Sequence, residues 1–341
     1  MVHTLVTGGC GFIGRHLVRA LLARGEKVVV VDDLSTGRRE ALAPHPRLAL
    51  VVASVLERRA LARAAAGADR IYHLAGVVGM RLATSRRDRA YRTAREGTAN
   101  LLALSAPVPT VLFSSSAVYG LSPRTPSPES PLPLEESNLV YDGGEPGYSL
   151  GKRHLEELGR EEAARGRPVL AVRPFNVAGP GQSGAYGMVL PTFVDRAAAG
   201  APLPVYGDGS QTRTFSGVER FVETLIRLTA IEEAWELPDH VVNLGARRPL
   251  SIMALARRVI ALMGSSSPIE VVPFERVFPG FQDAPCRIPD TGRAESLLGR
   301  IEWPSVDELI HAVRRDRAGR GMASPLATGT DGAALDPTCH P

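Results

Sequence analysis

Tyr148 and Lys152 stand four residues apart and have the chemistry of an acid/base pair. Side chains at this spacing lie on the same face of a helix, so the phenol and the ammonium group are expected to be neighbours. A free tyrosine has a pKa near ~10 and is a poor base at neutral pH, whereas a nearby ammonium favours the phenolate and lowers that pKa. The spacing therefore predicts that Tyr148 exchanges a proton with a substrate.

Lysine is so rare in this sequence that each one stands out. The chain has 40 Lys and Arg residues, and only Lys27 and Lys152 are lysine. Arginine keeps its proton in a protein, whereas the lysine ammonium is a compact charge with a tunable pKa. The alternative is that Tyr148 is a surface residue and that Lys152 neutralises Glu156. The patterns in the rest of the chain favour the acid/base pair.

A glycine-rich segment, Gly8 to Gly14, follows the first apolar run and has the composition of a dinucleotide-binding turn. Gly8 and Gly11 allow backbone N–H groups to approach a pyrophosphate, and Gly14 lets the following helix pack closely on the sheet. Asp32 ends the second apolar run, 18 residues after Gly14, where a carboxylate accepts hydrogen bonds from the adenosine ribose. Because its charge would repel a 2′-phosphate, the sequence predicts NAD rather than NADP.

Ser115 follows another apolar run, Thr110 to Ser114, which is predicted to be a strand. Ligands of open α/β sheets bind at the carboxyl ends of the strands, so this hydroxyl is expected at the ligand-binding edge. There it is placed to share a hydrogen bond with the substrate oxygen that Tyr148 contacts. Ser115, Tyr148 and Lys152 are therefore the candidate catalytic residues.

The elements that must position these residues follow from the alternation of apolar runs with helical segments. The predicted strands are His3–Val6, Lys27–Val31, Leu48–Val52, Arg70–Leu74, Thr110–Ser114 and Val169–Arg173, and the predicted helices are Gly11–Arg24, Leu56–Ala66, Arg86–Leu104 and Tyr148–Arg165. A long surface loop is predicted over Leu121 to Gly147. The predicted fold class is α/β, a Rossmann-type doubly wound parallel sheet with a smaller C-terminal substrate-binding lobe.

The predicted domain boundaries follow the same patterns. An NAD-binding domain is expected over residues 1–178, with later segments such as 214–245 returning to it, and residues 179–316 are expected to form mainly the substrate lobe. Gly, Ala, Thr and Pro are frequent in residues 317–341, which are predicted to be a disordered tail.

Composition and charge exclude several classes of protein. The net charge is +4, but the basic residues are spread along the chain without an aromatic-lined stripe, which argues against a nucleic-acid partner. No apolar run approaches the ~20 residues of a membrane-spanning helix, and the first predicted strand leaves no room for a signal peptide. The cysteines Cys10, Cys286 and Cys339 are too few and scattered for a disulfide framework or a metal site, and they indicate a reducing cytoplasm.

Several motifs together resemble the extended short-chain dehydrogenase/reductases, the NAD-dependent nucleotide-sugar epimerase and dehydratase family. The resemblance covers about residues 1 to 315 and is carried by the Gly-x-x-Gly-x-x-Gly spacing, Asp32–Gly37, His73–Gly76, Ser114–Gly120 and the Tyr148/Lys152 pair. It implies NAD contacts from Gly8, Gly11, Phe12, Ile13, Gly14, Asp32, Asp33, Ser35, Thr36, Gly37, Leu74, Ala75, Gly76, Ser114, Tyr148 and Lys152. Two positions depart from the family pattern, since Ser54 replaces an Asp that usually faces the adenine and Ala94 replaces a frequent Asn.

The same resemblance gives Ser115 the serine role and implies a UDP-sugar substrate. Substrate contacts are expected from Asn176, Val189, Tyr206, Arg213 and Arg287. Asn176 is expected at the diphosphate, and Arg213 is expected to face it because a guanidinium donates to phosphate oxygens in pairs. Arg287 is expected to reach a diphosphate or a carboxylate, with a surface ion pair as an equal alternative. The family also implies a homodimer through the helices near Arg86–Leu104 and Tyr148–Arg165.

Family members share a first step, in which the residue at Tyr148 accepts a proton from the C4 hydroxyl while hydride passes from C4 to NAD⁺. Segments 200–215, 242–245 and 287–290 are most like UDP-glucuronate decarboxylases, which predicts UDP-xylose and/or UDP-4-keto-xylose as product. The Asp-Glu pair of 4,6-dehydratases is replaced by Ser116 and Ala117, which argues against dehydration.

The serine tract also leaves a second reaction open. Decarboxylases usually have Thr-Ser-Glu where this chain has Ser115-Ser116-Ala117, a tract closer to that of 4-epimerases. Epimerisation of UDP-glucose or UDP-glucuronate at C4 is therefore the alternative. A catalytically idle, NAD-binding regulatory protein is less favoured, because the set of Ser115, Tyr148 and Lys152 is intact.

Overall fold

The computed structural model describes residues 1–122, 124–130 and 147–319. Its strands in these ranges are β1 (His3–Thr7), β2 (Lys27–Asp32), β3 (Leu48–Val52), β4 (Arg70–His73), β5 (Thr110–Phe113), β6 (Val169–Pro174), β7 (Val177–Ala178), β8 (Leu203–Tyr206), β9 (Thr212–Arg213), β10 (Ser216–Gly217), β11 (Val241–Leu244), β12 (Leu250–Ser251), β13 (Ile269–Val272) and β14 (Cys286–Arg287). Its helices are α1 (Phe12–Ala23), α2 (Arg58–Ala65), α3 (Met80–Ser85), α4 (Arg87–Leu104), α5 (Tyr148–Ala164), α6 (Val189–Ala198), α7 (Val218–Leu228), α8 (Ile252–Met263), α9 (Phe274–Val277), α10 (Gly292–Leu298) and α11 (Val306–Gly319).

The central sheet has seven strands in the order β11-β6-β5-β4-β1-β2-β3, and every neighbouring pair is parallel. This is the strand order of a doubly wound dinucleotide-binding sheet with β11 added beside β6. The strands are apolar on both faces, as in the buried run Val28 to Val31, because helices cover both sides of the sheet. The fold therefore belongs to the predicted Rossmann-type class.

Alternate side chains of each strand enter two separate cores. On one face, Val28 and Val30 pack with α1 and α7. On the other face, Val29 and Val31 pack with α2 and α4, and Leu155 of α5 packs beside them against Leu112 of β5. The apolar side of α5 thus lies inside the subunit. Because the strands are parallel, their carboxyl ends all lie at one edge of the sheet.

A smaller lobe is built around its own core. Helices α6, α8 and α11 pack over β8, with side chains such as Phe193, Leu203, Leu255 and Ile310 buried between them. Short strand pairs complete this part of the chain: β13 lies beside β8, β9 lies between β12 and β14, and β10 lies beside β7. The chain passes between the large sheet and the lobe several times, as from β6 to β7 and from β10 to α7.

The sequence predictions for the first half agree with the structure to within two residues at every end. The helix α3 was not predicted. Most of the predicted loop from Leu121 to Gly147 lies outside the described residues. The predicted disordered tail begins too early, because Arg317 belongs to α11 and forms an ion pair with Asp195 at 2.7 Å. Residues 320–341 of that tail lie outside the described residues.

Candidate active site

The residues predicted to contact NAD gather at the carboxyl edge of the sheet. They follow four adjacent strands: Gly8, Gly11, Phe12, Ile13 and Gly14 after β1; Asp32, Asp33, Ser35, Thr36 and Gly37 at and after the end of β2; Leu74, Ala75 and Gly76 after β4; and Ser114 after β5. Because parallel strands end at the same edge, these segments border one region, which is where such sheets bind ligands.

The glycine turn between β1 and α1 is closely packed. Gly8 has a φ of 71°, a left-handed conformation that side chains disfavour, and its N–H donates to the Val31 carbonyl at 2.8 Å. A Cβ atom on Gly14 would lie 2.1 Å from the Gly8 oxygen, so α1 can begin this close to the turn only with glycine. Gly11 brings no side-chain cap to α1, which leaves first-turn N–H groups for an anion. The turn therefore fits a pyrophosphate.

The Asp32 carboxylate is fixed beside this turn. Its oxygens accept the N–H groups of Cys10 at 2.9 Å and Leu34 at 2.8 Å. Burial raises the pKa of Asp32, and these two hydrogen bonds partly oppose that effect. The neighbouring Asp33 is used differently, because its carboxylate forms an ion pair with Arg89 at 2.8 Å. Asp32 thus remains the carboxylate available to a ribose at the end of β2.

His73, at the end of β4, is the centre of a buried hydrogen-bonded chain that the sequence analysis missed. Its Nδ1 lies 2.7 Å from Thr7 Oγ1, and its Nε2 lies 3.1 Å from Thr98 Oγ1. Because the Thr98 hydroxyl donates to the Ala94 carbonyl, its oxygen accepts from the ring at Nε2. Thr7 then donates to Nδ1 and accepts the Ala75 N–H, which fixes the segment after β4. Burial lowers the pKa of His73 to about 3, so the ring stays neutral.

Tyr148 and Lys152 open helix α5, with Lys152 Nζ 5.9 Å from the centre of the Tyr148 ring. Lys152 is only 2% exposed, and its ammonium donates to the Phe113 carbonyl at 2.6 Å. Burial lowers the pKa of Lys152 to about 8, although the charge of Glu156 opposes part of this effect. The structure brings the predicted acid/base pair together at the end of β5.

Glu156, one turn beyond Lys152, is bound by an arginine rather than by the lysine. Arg173 Nε and Nη2 each donate to the Glu156 carboxylate at 2.7 Å, and both side chains are buried. The Ser114 hydroxyl donates to the same carboxylate at 2.5 Å. With Glu156 neutralised in this way, the alternative that Lys152 serves only to balance Glu156 loses its support.

Ser115 lies two residues beyond β5 and caps the 3₁₀ turn Ser116–Tyr119. Its Oγ accepts the Ala117 N–H at 3.1 Å, and among the described residues its own hydroxyl hydrogen has no acceptor. Ser114 and Ser116 are buried, whereas Ser115 is partly exposed. Ser115 is therefore the serine of this tract that is placed to meet a ligand. Ala117 is buried beside it and brings no carboxylate to the turn.

Three of the predicted substrate residues lie after β6 or in the small lobe. Asn176 follows β6 with a φ of 36°, and its Nδ2 is buried without a hydrogen-bond partner among the described residues. A buried unpaired amide is destabilising, so this geometry fits a site that receives an acceptor from a ligand. Val189 begins α6, and Tyr206 ends β8 with its hydroxyl accepting from Arg81 at 2.9 Å. The sequence analysis did not single out Arg81.

The two predicted substrate arginines are held by protein groups. Arg213 forms an ion pair with Asp283 and donates to the Ala284 carbonyl at 2.9 Å. Arg287 is 5% exposed and donates to the carbonyl oxygens of Ser116 at 2.5 Å and Gly120 at 3.3 Å. The Arg287 guanidinium is therefore buried against the serine turn, and its expected contact with a diphosphate or a carboxylate stays a prediction.

The described part of the chain shows neither a metal-ligand group nor a membrane-spanning helix. In residues 1–122, 124–130 and 147–319, no three His, Cys, Asp or Glu side chains come together as a metal-ligand group. None of the helices in those ranges combines the length and apolar character needed to cross a bilayer.

Comparison with known proteins places this geometry in a family. The sequence model of the NAD dependent epimerase/dehydratase family matches residues 4–245. A UDP-N-acetyl-alpha-D-glucosaminuronate decarboxylase of Bacillus cytotoxicus is 33% identical over 304 residues, which are 86% of this chain and 90% of that protein. UDP-glucuronic acid decarboxylase 4 of Arabidopsis thaliana is 33% identical over 305 residues, covering 88% of this chain and 65% of the plant protein.

A solved structure agrees with the sequence comparisons. DesIV, a dTDP-glucose 4,6-dehydratase from Streptomyces venezuelae with NAD and TYD bound, superposes with a TM-score of 0.82 at 27% identity, covering 94% of this chain and 98% of that one. The family, the fold class and the NAD cofactor predicted from the motifs are thereby confirmed. With the family match spanning both the glycine turn and the Tyr148/Lys152 helix, the chain belongs to the NAD dependent epimerase/dehydratase family.

Proposed function

We propose that this chain decarboxylates UDP-glucuronate through a 4-keto intermediate and forms UDP-xylose and/or UDP-4-keto-xylose. The observation that carries the proposal is the Tyr148/Lys152 pair, which lies with Ser115 at the carboxyl edge of the sheet. The choice of substrate is supported by the relatives from Bacillus cytotoxicus and Arabidopsis thaliana, whose names both state decarboxylation of a UDP-uronate.

The residues at the carboxyl ends of β1 and β2 fit NAD. The glycine turn offers uncapped N–H groups of α1 to the pyrophosphate of NAD. Asp32 stands at the end of β2, where it can accept hydrogen bonds from the adenosine ribose next to that pyrophosphate. Bound NAD⁺ supplies the hydride acceptor for C4 of the sugar and afterwards returns the hydride. The Asp32 charge disfavours a 2′-phosphate, which supports NAD over NADP.

The chain's own residues handle the proton. Tyr148 takes the proton of the C4 hydroxyl while C4 loses hydride, and the Lys152 ammonium stabilises the phenolate that is needed for this. Ser115 donates its hydroxyl hydrogen to the same sugar oxygen, because its Oγ already accepts from Ala117. This hydrogen bond strengthens as negative charge develops on the oxygen.

Carbon dioxide leaves in the next step. A ketone at C4 makes the C6 carboxylate a β-keto acid, so the C5–C6 bond breaks and its electron pair forms an enolate between C5 and C4. Ser115 and the protonated Tyr148 both donate to the enolate oxygen. Position 117 is alanine and supplies no carboxyl proton, so C5 takes its proton from water or from another residue before hydride returns to C4.

The alanine at position 117 also favours a second candidate, a UDP-sugar 4-epimerase. An epimerase needs no acid at C5, only room for the 4-ketose to turn over before hydride returns. The two reactions share the Tyr148 step and differ in mass balance. Incubation with UDP-glucuronate, UDP-glucose and their 4-epimers, followed by mass spectrometry, separates them: we expect loss of ~44 mass units (CO₂) from UDP-glucuronate. Conversion to UDP-galacturonate without any mass loss would instead identify an epimerase.

We further infer a cytoplasmic homodimer that forms through α4 and α5. The two helices are already packed side by side, with Gly151 against the backbone of Tyr91. The Tyr91 and His154 rings contact each other edge to face at 5.6 Å between centroids, which extends this pairing along the two helices. Light scattering at micromolar concentration is expected to give twice the chain mass, and a species of only 36.4 kDa would contradict the inference.

A further inference from the structure

The turn that carries Ser115 has every main-chain oxygen from Ser115 to Gly120 bound. Three of these oxygens, those of Ser115, Ala117 and Tyr119, accept N–H groups from three residues further along, at 3.2, 3.0 and 3.0 Å. Such bonds form within the turn itself and need no outside partner. Among the described residues, the oxygens of Val118 and Gly120 receive no such bond.

Two buried arginines bind the oxygens of Ser116, Val118 and Gly120. Arg153 Nε and Nη2 both donate to the Val118 oxygen, at 2.9 and 2.7 Å. Arg287 donates to the oxygens of Ser116 and Gly120 at 2.5 and 3.3 Å. Both arginines are 5% exposed, so these are charge-assisted bonds made away from water, where an unpaired carbonyl would be destabilising.

Arg153 connects the two halves of the catalytic set. It follows Lys152 directly in α5, while its guanidinium reaches the turn that begins at Ser115. This side chain therefore ties the helix of Tyr148 to the serine turn. A lysine at this position would offer a single point donor, whereas the planar guanidinium offers two donors in a fixed fork.

We propose that Arg153 is a positioning residue for Ser115, with Arg287 holding the other side of the same turn. Arg153 touches neither the sugar nor NAD and acts by fixing where the Ser115 hydroxyl stands. The proposal rests on the proposed role of Ser115 in C4 oxidation. It is the same for a decarboxylase and for an epimerase, because both share that step.

The test is a double-mutant cycle between Arg153→Ala and Ser115→Ala, read as single-turnover reduction of bound NAD⁺ by whichever nucleotide sugar the wild type accepts. Arg153→Ala is expected to lower the rate of NAD⁺ reduction by up to about 10²-fold with little change in KM. The reason is that a displaced Ser115 hydroxyl is no longer aligned with the sugar oxygen. In the Ser115→Ala background the same change is expected to have almost no effect. An equal loss in both backgrounds overturns the proposal, because Arg153 would then act independently of Ser115.

Arg167 provides the matched control. It is also 5% exposed and donates to the carbonyls of Leu102 and Ala106, each at 2.9 Å, at the far end of α4. Arg167→Ala is expected to lower stability without changing the rate of NAD⁺ reduction. A rate loss equal to that of Arg153→Ala would mean that any buried arginine matters, and it would refute a specific role.

Hydrogen exchange gives a readout that needs no substrate. The amides of Val118 and Gly120 should exchange faster in Arg153→Ala and in the milder Arg153→Lys than in wild type, and Arg167→Ala should leave them unchanged. Unaltered exchange in both Arg153 variants overturns the proposal even if no nucleotide sugar is turned over. Absence of turnover by the wild type counts against the proposed function alone. Arg153→Lys keeps the test valid if Arg153→Ala fails to fold.

Discussion

The Lys152 ammonium donates to the main-chain oxygen of Phe113 at 2.6 Å, so α5 and the last residue of β5 are joined by the lysine of the proposed acid/base pair. The bond fixes the ammonium close to Gly76, where an added Cβ would lie 3.3 Å from Nζ. The space between Phe113 and Gly76 therefore fits a compact cation such as the lysine ammonium. Substitution at this position tests both the acid/base chemistry and the fit.

Lys152→Arg is expected to lower kcat strongly although it keeps the positive charge. The larger guanidinium cannot replace the ammonium between Phe113 and Gly76. Lys27→Arg is the matched control on an exposed lysine, and full activity in Lys152→Arg would refute the assignment.

Tyr148→Phe, which keeps the ring and removes the proton-transfer group, should lower kcat by roughly 10²–10⁴. NAD binding should survive in Tyr148→Phe, because the glycine turn and Asp32 are untouched, and titration calorimetry measures it.

The rate should also fall as the pH rises through about 8. Burial lowers the pKa of Lys152 from 10.5 to about 8, so the ammonium is present below that pH and is lost above it. Its loss removes the charge that stabilises the Tyr148 phenolate. The measurement is kcat against pH under saturating substrate, with NAD affinity followed in parallel. A rate that keeps rising to pH 10 would contradict this account.

Asp32→Ala is expected to weaken the preference for NAD over NADP. The carboxylate is held by the N–H groups of Cys10 and Leu34 at the end of β2, where a 2′-phosphate would meet its charge. Dissociation constants for both cofactors test this, and Asp33→Ala is the control because Arg89 binds that carboxylate. Tighter binding of NADP than of NAD by the wild type would show that Asp32 does not select the cofactor.

Arg173→Met should destabilise the fold by about 3–5 kcal/mol, since it leaves the buried Glu156 carboxylate without its cation. The double variant Glu156→Leu, Arg173→Met removes both charges and should recover much of the loss. Urea unfolding of the three proteins measures the difference. If the double variant is no more stable than the single one, the ion pair is not what Arg173 contributes.

The strands and helices of the first half could be predicted because each carries its own pattern of apolar residues. Val28 to Val31 form an unbroken buried run, and α5 begins at the tyrosine that the motif identifies. The motif likewise predicted the pairing of Tyr148 with Lys152. These features depend on residues close together in the sequence.

The partners of the buried arginines could not be predicted in the same way. Arginine is usually exposed, and nothing in its local sequence distinguishes Arg153 from the many arginines of surface helices. Arg287 meets the Ser116 carbonyl 171 residues away, and a carbonyl has no sequence signature. His73 was recognised as part of a motif, but its contact with Thr98 arises only when β4 and α4 pack together.

The place of β11 at the sheet edge affects the protein while it is being synthesised. After β6 has emerged from the ribosome, its outer edge has no neighbour until Val241–Leu244 is made. At 5–20 residues per second, the 70 residues between Pro174 and Leu244 take roughly 4 to 14 s to add. During that interval the nascent chain exposes the apolar edge of Val169 to Val172, a site at which unfinished chains pair with one another. Expression yield is therefore expected to depend on how quickly the ribosome translates the stretch between these two strands.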